Sequence, residues 1–235
     1  MSVLTVATYN AHSWVGMDGR KDPQRTMRVL EDLEADMIAL QEVLLPAGGF
    51  GGFTLTDLTR ATGMEAIPGP TLRRADSDFG NVLLSMRPLR DVRLVDISVE
   101  GCEPRGAIMA TVDIQSLSVS VMATHLGLRG HERRKQIRRL MREFPAPPER
   151  PLILMGDFNE WHLFSPGLAI LNARFGRQSA APSYPSFFPL LALDRILVSP
   201  RAAGGKIEAV KTSLTRIASD HLPVRGTARF QPPSL

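Results

Sequence analysis

The chain has almost no cysteine. Cys102 is the single one among 235 residues, which excludes an intrachain disulfide and favours an intracellular compartment. No apolar run approaches the length of a membrane span, so no transmembrane segment is expected. The opening residues MSVLTVATYN carry neither a basic leader nor a small-residue cleavage site, so no signal peptide is read there and a cytoplasmic location is expected. Cys/His clusters at zinc spacing are absent. So are repeats at solenoid periods and low-complexity linkers. Lysine is scarce as well, with 4 against 24 arginines at a net charge of +4. Arginine grips phosphate with a planar, two-pronged fork. A GC-rich coding preference produces the same excess, and +4 is a modest charge for a chain of this length.

What is present suits one domain over residues 1–235. Hydrophobic residues make up 43%, enough for a sizeable core. Strand-like runs lie at 3–10, 36–43, 80–86, 92–99, 105–114, 117–126, 150–159, 194–199, 206–214 and 222–230. Helical spacing marks 23–35, 130–144 and 166–175. Many strands with helices inserted at intervals suggest an α/β fold built as a two-sheet sandwich flanked by helices. The segments PAGGFGG (46–52) and PGPTLRRADSDFG (68–80) read as long loops just beyond strand ends, where sites are often built.

The polar residues at those strand ends form a pattern. Asn10 ends the first strand and Glu42 the second. His125 ends the strand 117–126. Asp157 and Asn159 end the next, Asp194 opens its successor, and Asp220 and His221 precede the last. Singly, each reads equally well as a cap, a turn residue or a surface charge. Together they supply oxygen ligands suited to a hard cation, Mg²⁺ or Mn²⁺. Two histidines beside them could stabilise charge or move a proton. In an extended segment, residues two apart share a face, so Asp157 and Asn159 can address one group while Phe158 turns inward. Gly156 would let the backbone approach closely or turn.

Seven motifs occur in order: TYNAH (8–12), LQEV (40–43), GNVLLS (80–85), ATHL (123–126), GDFN (156–159), LDRILV (193–198) and SDHLPV (219–224). In these the chain resembles the endonuclease/exonuclease/phosphatase superfamily. The resemblance implies a four-layered α/β sandwich with two mainly antiparallel sheets, and cleavage of phosphoesters with a divalent metal. It implies that Asn10 and Glu42 anchor the metal with Asp220 near it. Asp157 would orient or deprotonate the attacking water, and Asn159 would hold a phosphate oxygen. Asp194 would hydrogen-bond His221 and fix its imidazole against the scissile phosphate. His125 joins the catalytic set, and Asn81 and Arg105 are substrate-binding candidates.

The branch stays open at this level. Abasic-site nucleases usually carry tyrosine where His125 stands, so ATHL is closer to the deoxyribonuclease, sphingomyelinase and inositol phosphatase branches. The expected function is hydrolysis of a small or lipid-linked phosphoester. The alternative is a DNA or RNA nuclease using the same site, and a catalytically inactive binding protein is disfavoured because the expected site positions are filled. Seven Lys/Arg residues in 127–142 could follow a nucleic-acid backbone or an anionic membrane surface, or simply be a solvated helix face. Phe187 and Phe188 would stack on a base, cover an apolar substrate or enter the core.

Overall fold

The computed structural model describes residues 2–46, 53–144 and 150–230. Two sheets face each other. The first holds β1 (Ser2–Asn10), β2 (Met37–Pro46), β3 (Glu65–Arg73), β4 (Ser77–Ser85), β10 (Gly204–Ala209) and β11 (Val224–Phe230). Its order is β10-β11-β1-β2-β4-β3. The second, in order, is β5 (Leu89–Asp96), β6 (Gly106–Ile114), β7 (Leu117–His125), β8 (Leu152–Asp157) and β9 (Asp194–Ser199).

Apolar periodicity explains the layers. Along β1, Leu4 and Val6 enter the core between the sheets, whereas Ala7 and Tyr9 pack under helices on the outer face. Along β8, Ile153 and Met155 point inward, and Leu152 and Leu154 point to the opposite helical layer. Strands covered on both faces therefore read as nearly continuous apolar runs. The outer layers are α1 (Pro23–Asp32) and α2 (Leu55–Thr62) on one side, with α3 (Gly130–Arg142) and α4 (Pro166–Phe175) on the other. Helices outside two stacked sheets give the four layers of an α/β sandwich.

Among the described residues two pairings are parallel, β1 with β2 and β7 with β8. Each is closed by a crossover helix, α1 and α3 respectively, as parallel neighbours require. The carboxyl ends of β1, β7 and β8 carry Asn10, His125 and Asp157. Because β1 packs across from β8, these ends meet at one edge of the sandwich.

Two expectations change. The loop read at 68–80 is in fact most of the β3–β4 hairpin. Pro68 and Pro70 made it look broken, but β3 is an edge strand, where a residue without an N–H is tolerated. Glu42 does not end β2. It lies inside the strand, at a register shift between Leu40 and Val43, with φ 53°. This bulge turns the carboxylate out of the ladder. Of the other predicted loop, Pro46 closes β2 and residues 47–52 lie outside the described residues.

Candidate active site

The backbone delivers the site before any side chain acts. β7 and β8 run in register, with His125 beside Asp157 and Thr124 beside Gly156. β8 ends at Asp157, and Asn159 has φ 50°, so the pair is not an extended stretch as the spacing suggested. The chain turns there instead, and the Asp157 carboxylate accepts the Asn159 N–H at 2.9 Å. Phe158 is fully buried, as expected. On the other sheet, the Ser219 hydroxyl donates to the Asn10 carbonyl at 2.7 Å and binds the loop before β11 to the end of β1. Asp220 and His221 are placed by this tie.

Asn10 sits at the centre of the polar network. Its amide nitrogen donates to Glu42 Oε1 at 3.0 Å and to Asp157 Oδ2 at 3.1 Å. Its oxygen accepts the His12 N–H at 2.9 Å. A backbone N–H can only donate, so this contact fixes the amide orientation. Asn10 therefore meets Glu42 as the sequence suggested, but with its nitrogen; its oxygen accepts from His12 N–H and keeps a second lone pair.

Asn159 has a similar geometry. Its amide nitrogen donates to the Leu126 carbonyl at 2.9 Å and lies 3.2 Å from His125 Nε2. The donor expected for a phosphate oxygen is thus occupied, and it orients His125. The Nε2 of neutral His125 accepts, which leaves the proton on Nδ1.

His221 Nδ1 lies 2.8 Å from Asp194 Oδ2, the contact expected from the sequence. The same oxygen accepts the Ser183 hydroxyl at 2.6 Å. The ring of Tyr184 stands 4.9 Å from the imidazole. Asp157 Oδ2 is 3.6 Å from His125 Nε2 and 3.7 Å from His221 Nε2. One carboxylate is flanked by two imidazoles.

Environment drives the two histidines apart. Burial, aided by Arg105 and His221 and opposed by Asp157, pulls His125 down to about 4. Burial also acts to lower His221, but Asp194, Asp157 and Asp220 outweigh it and hold that imidazole up at about 10. One histidine is neutral and the other cationic over the ordinary pH range.

Burial raises the Glu42 pKa; the Asn10 hydrogen bond opposes this, and the charges of Asp220 and Asp157 push the same way as burial. Asp157, Asp194 and His221 each offer an atom within 4.8 Å of one another. A desolvated Glu42 carboxylate close to Asp157 and Asp220, with oxygen as the main donor type, fits a hard divalent cation.

A pocket of about 420 Å³ opens over this cluster. Glu42, His125, Asp157, Asn159, Asp220 and His221 line its polar side, and Leu128, Trp161, Leu191 and Leu193 its apolar side. Arg105 is in the wall, ion-paired to Glu103, with its Nε buried and unpartnered. Asn81 is not in this pocket. Its amide donates to the Gly106 carbonyl at 3.0 Å, linking β4 to β6. It borders a separate cavity, so its substrate-binding assignment is not supported by position. A strand residue facing the other sheet spends its donor there.

Sequence reading missed the supports. Ser183 stands eleven residues before Asp194 in an irregular segment, with no pattern to mark it. Glu160 is 2% exposed and pairs with Arg133 at 3.2 Å, and its carbonyl accepts from Arg195 at 2.9 Å. This buried pair anchors the turn that carries Asn159. Glu160→Ala would strand the Arg133 charge and is expected to destabilise the protein by about 3–5 kcal/mol. Urea unfolding measures it, and a loss under about 1 kcal/mol would mean that water replaces the pair. Asp194→Asn is expected to lower kcat roughly 10–100-fold by freeing His221. Stopped assays on purified variant and parent check this, and equal turnover would dismiss the contact.

Comparison with known proteins places this geometry. The family model described as "Endonuclease/Exonuclease/phosphatase family" matches residues 7–221. The chain belongs to the endonuclease/exonuclease/phosphatase family. The match spans every residue of the polar cluster, from Asn10 to His221. The curated relative "Uncharacterized protein YbhP" of Escherichia coli strain K12 is 33% identical over 158 residues, 63% of this chain and 62% of that protein. The match therefore spans about 62% of the curated relative's length. An endonuclease/exonuclease/phosphatase from Beutenbergia cavernae is similar in structure, with a TM-score of 0.81 and 26% identity over 97% of this chain and 72% of that one. Two further structures with this fold are each 18% identical. The Bacteroides thetaiotaomicron mannosyl-6-phosphatase has a TM-score of 0.73, covering 95% of this chain and 98% of that one. D. rerio TDP2, complexed with a single-strand DNA product, has 0.70, covering 97% and 99%. One fold serves both proteins, so fold alone leaves the substrate open.

Proposed function

We propose that this protein is a Mg²⁺- or Mn²⁺-dependent hydrolase of small or lipid-linked phosphoesters. The observation that carries the proposal is the convergence of Glu42, Asp157 and Asp220 beside His125 and His221 in one pocket. Glu42 and Asp220 would hold the cation, with Asn10 fixing Glu42 and Asp157 through its amide nitrogen. A divalent ion bound there neutralises charge on the phosphate and on the leaving oxygen.

The chain's own groups account for the rest. Asp157, fixed by two hydrogen bonds, orients a water and takes its proton as the oxygen attacks phosphorus. The new P–O bond forms as the bond to the leaving oxygen breaks, and solvent protonates that oxygen. His221, held by Asp194 through Nδ1, directs Nε2–H to the phosphoryl oxygens. Asn159 fixes neutral His125 beside them. The buried, unpartnered Nε of Arg105 is suited to an anion at the wall.

The arginine-rich helix supports the competing nuclease reading. Of its exposed cations, Arg134, Lys135, Arg138, Arg139 and Arg142, none lines the pocket. Arg139 donates to the Ser98 carbonyl, and Arg133 is committed to Glu160. A nuclease needs a basic track leading to the metal. Arg134→Glu combined with Arg138→Glu is expected to leave bis-p-nitrophenyl phosphate hydrolysis within about twofold. A parent that cuts DNA efficiently, with cleavage abolished in this variant, would favour the nuclease.

The decisive assay compares plasmid DNA, abasic DNA, RNA, bis-p-nitrophenyl phosphate and phospholipids with Mg²⁺, with Mn²⁺ and with EDTA. Turnover should fall to background in EDTA and return with either ion. Full activity in EDTA would remove the metal from the proposal.

A further inference from the structure

The largest exposed apolar side chains are concentrated in three loops that also supply residues to the pocket lining. Trp161, Leu163 and Phe164 follow β8; Phe187, Phe188 and Leu190 precede β9. These six are 57–83% exposed. Leu128, 72% exposed, stands between β7 and α3. Leu128 and Trp161 line the pocket, and the 183–191 segment is tied to it where the Ser186 N–H donates to the Asp220 carbonyl at 2.7 Å. Phe187 and Phe188 are exposed and do not enter the core.

Exposure on this scale, on loops that share one pocket, marks an interaction surface. Its charge indicates the partner. The segments 126–131, 158–165 and 183–191 contain a single acid, Glu160, and it is buried. Exposed cations flank them. Arg129 follows Leu128, Arg134 and Lys135 lie in the first turns of α3, and Arg216 donates to the Phe187 carbonyl. Trp161, His162 and Phe164 stand in edge contact, with ring centroids 6.1 and 6.4 Å apart. Amphipathic rings with flanking cations suit the boundary between acyl chains and anionic headgroups.

We propose that these three loops dock on an anionic lipid bilayer and present the phosphoester of a membrane lipid to the pocket. The proposal rests on the phosphoester-hydrolase reading and narrows its substrate class to membrane lipids. Loop side chains enter the interface, the cations meet the headgroup phosphates, and the site faces the membrane. The basic face of α3 beyond its first turns is not required.

The test separates docking from chemistry. Binding is measured in EDTA by sedimentation with phosphatidylglycerol or phosphatidylcholine vesicles. The parent should partition preferentially onto phosphatidylglycerol. The variant Phe164→Ser with Phe188→Ser, at positions outside the pocket lining, should bind those vesicles roughly 10-fold more weakly or worse. Its hydrolysis of soluble bis-p-nitrophenyl phosphate with Mg²⁺ should match the parent, which also verifies folding. A parent that stays in the supernatant with phosphatidylglycerol, or a variant that binds like the parent, overturns docking. So does a parent dimer in sedimentation equilibrium that the variant dissolves, which assigns the surface to a second copy. Parent binding to single-stranded DNA that the variant loses overturns it too, in favour of base stacking. Docking with no soluble hydrolysis by either protein would instead reject the enzyme reading on which the proposal rests.

Discussion

Asp157→Ala is expected to lower kcat/KM by on the order of 10²-fold or more, with little loss of stability. The carboxylate accepts from Asn159 N–H and from Asn10, so its removal loses two hydrogen bonds. It also removes a charge that acts on Glu42. The two effects oppose each other in the folded state, whereas in the proposed mechanism Asp157 alone serves the attacking water as base. KM should change less than kcat, because the group would act on water. Near-parental turnover by a folded variant would exclude Asp157 from the mechanism. A melting temperature far below the parent's would instead assign it a structural role.

Gly156→Ala is expected to have a large effect on the fold. A Cβ there would stand 1.9 Å from the Thr124 carbonyl oxygen, at φ +153°. Thr124 is the paired residue on β7, and both groups are backbone, so no side-chain rotation relieves the clash. The strands must separate, and the next pair is His125 and Asp157. We expect a loss of about 3–5 kcal/mol, or roughly 10 °C in melting temperature, and activity lost with it. Gly101→Ala is the control, since nothing lies within 4 Å of a new Cβ at that turn and φ is +74°. It should cost about 1–2 kcal/mol. Similar melting temperatures for the two variants would show that the close approach at Gly156 is easily relieved.

Much of the architecture was legible because burial on two faces leaves a strong record. β1, β7, β8 and β9 are apolar enough to be read directly, and each meets helix on one side and sheet on the other. β3 and α2 left weaker records. β3 is an edge strand containing Pro68 and Pro70, and α2 buries Leu58 alone among its residues. Glu42 was found by type but misplaced, because a bulge in mid-strand has no side-chain periodicity to reveal it.

The sequence by itself determined the family and the residue types of the candidate site, since these are carried by short motifs such as GDFN and SDHLPV. It also determined the layering, since alternation of apolar side chains is a local property of the chain. Only the tertiary structure decided what each polar atom faces. Asn10 presents nitrogen to the carboxylates because His12 N–H claims its oxygen, and Asn159 spends its amide on Leu126 and His125. Asn81 bonds across to Gly106, and Ser183 supports Asp194 from eleven residues away. Hydrogen-bond direction depends on which donor arrives from another strand, and that is set by packing. The apolar rim was likewise invisible in the sequence, because Trp161, Phe164 and Phe188 are indistinguishable from core residues until the loops that carry them are placed around the pocket.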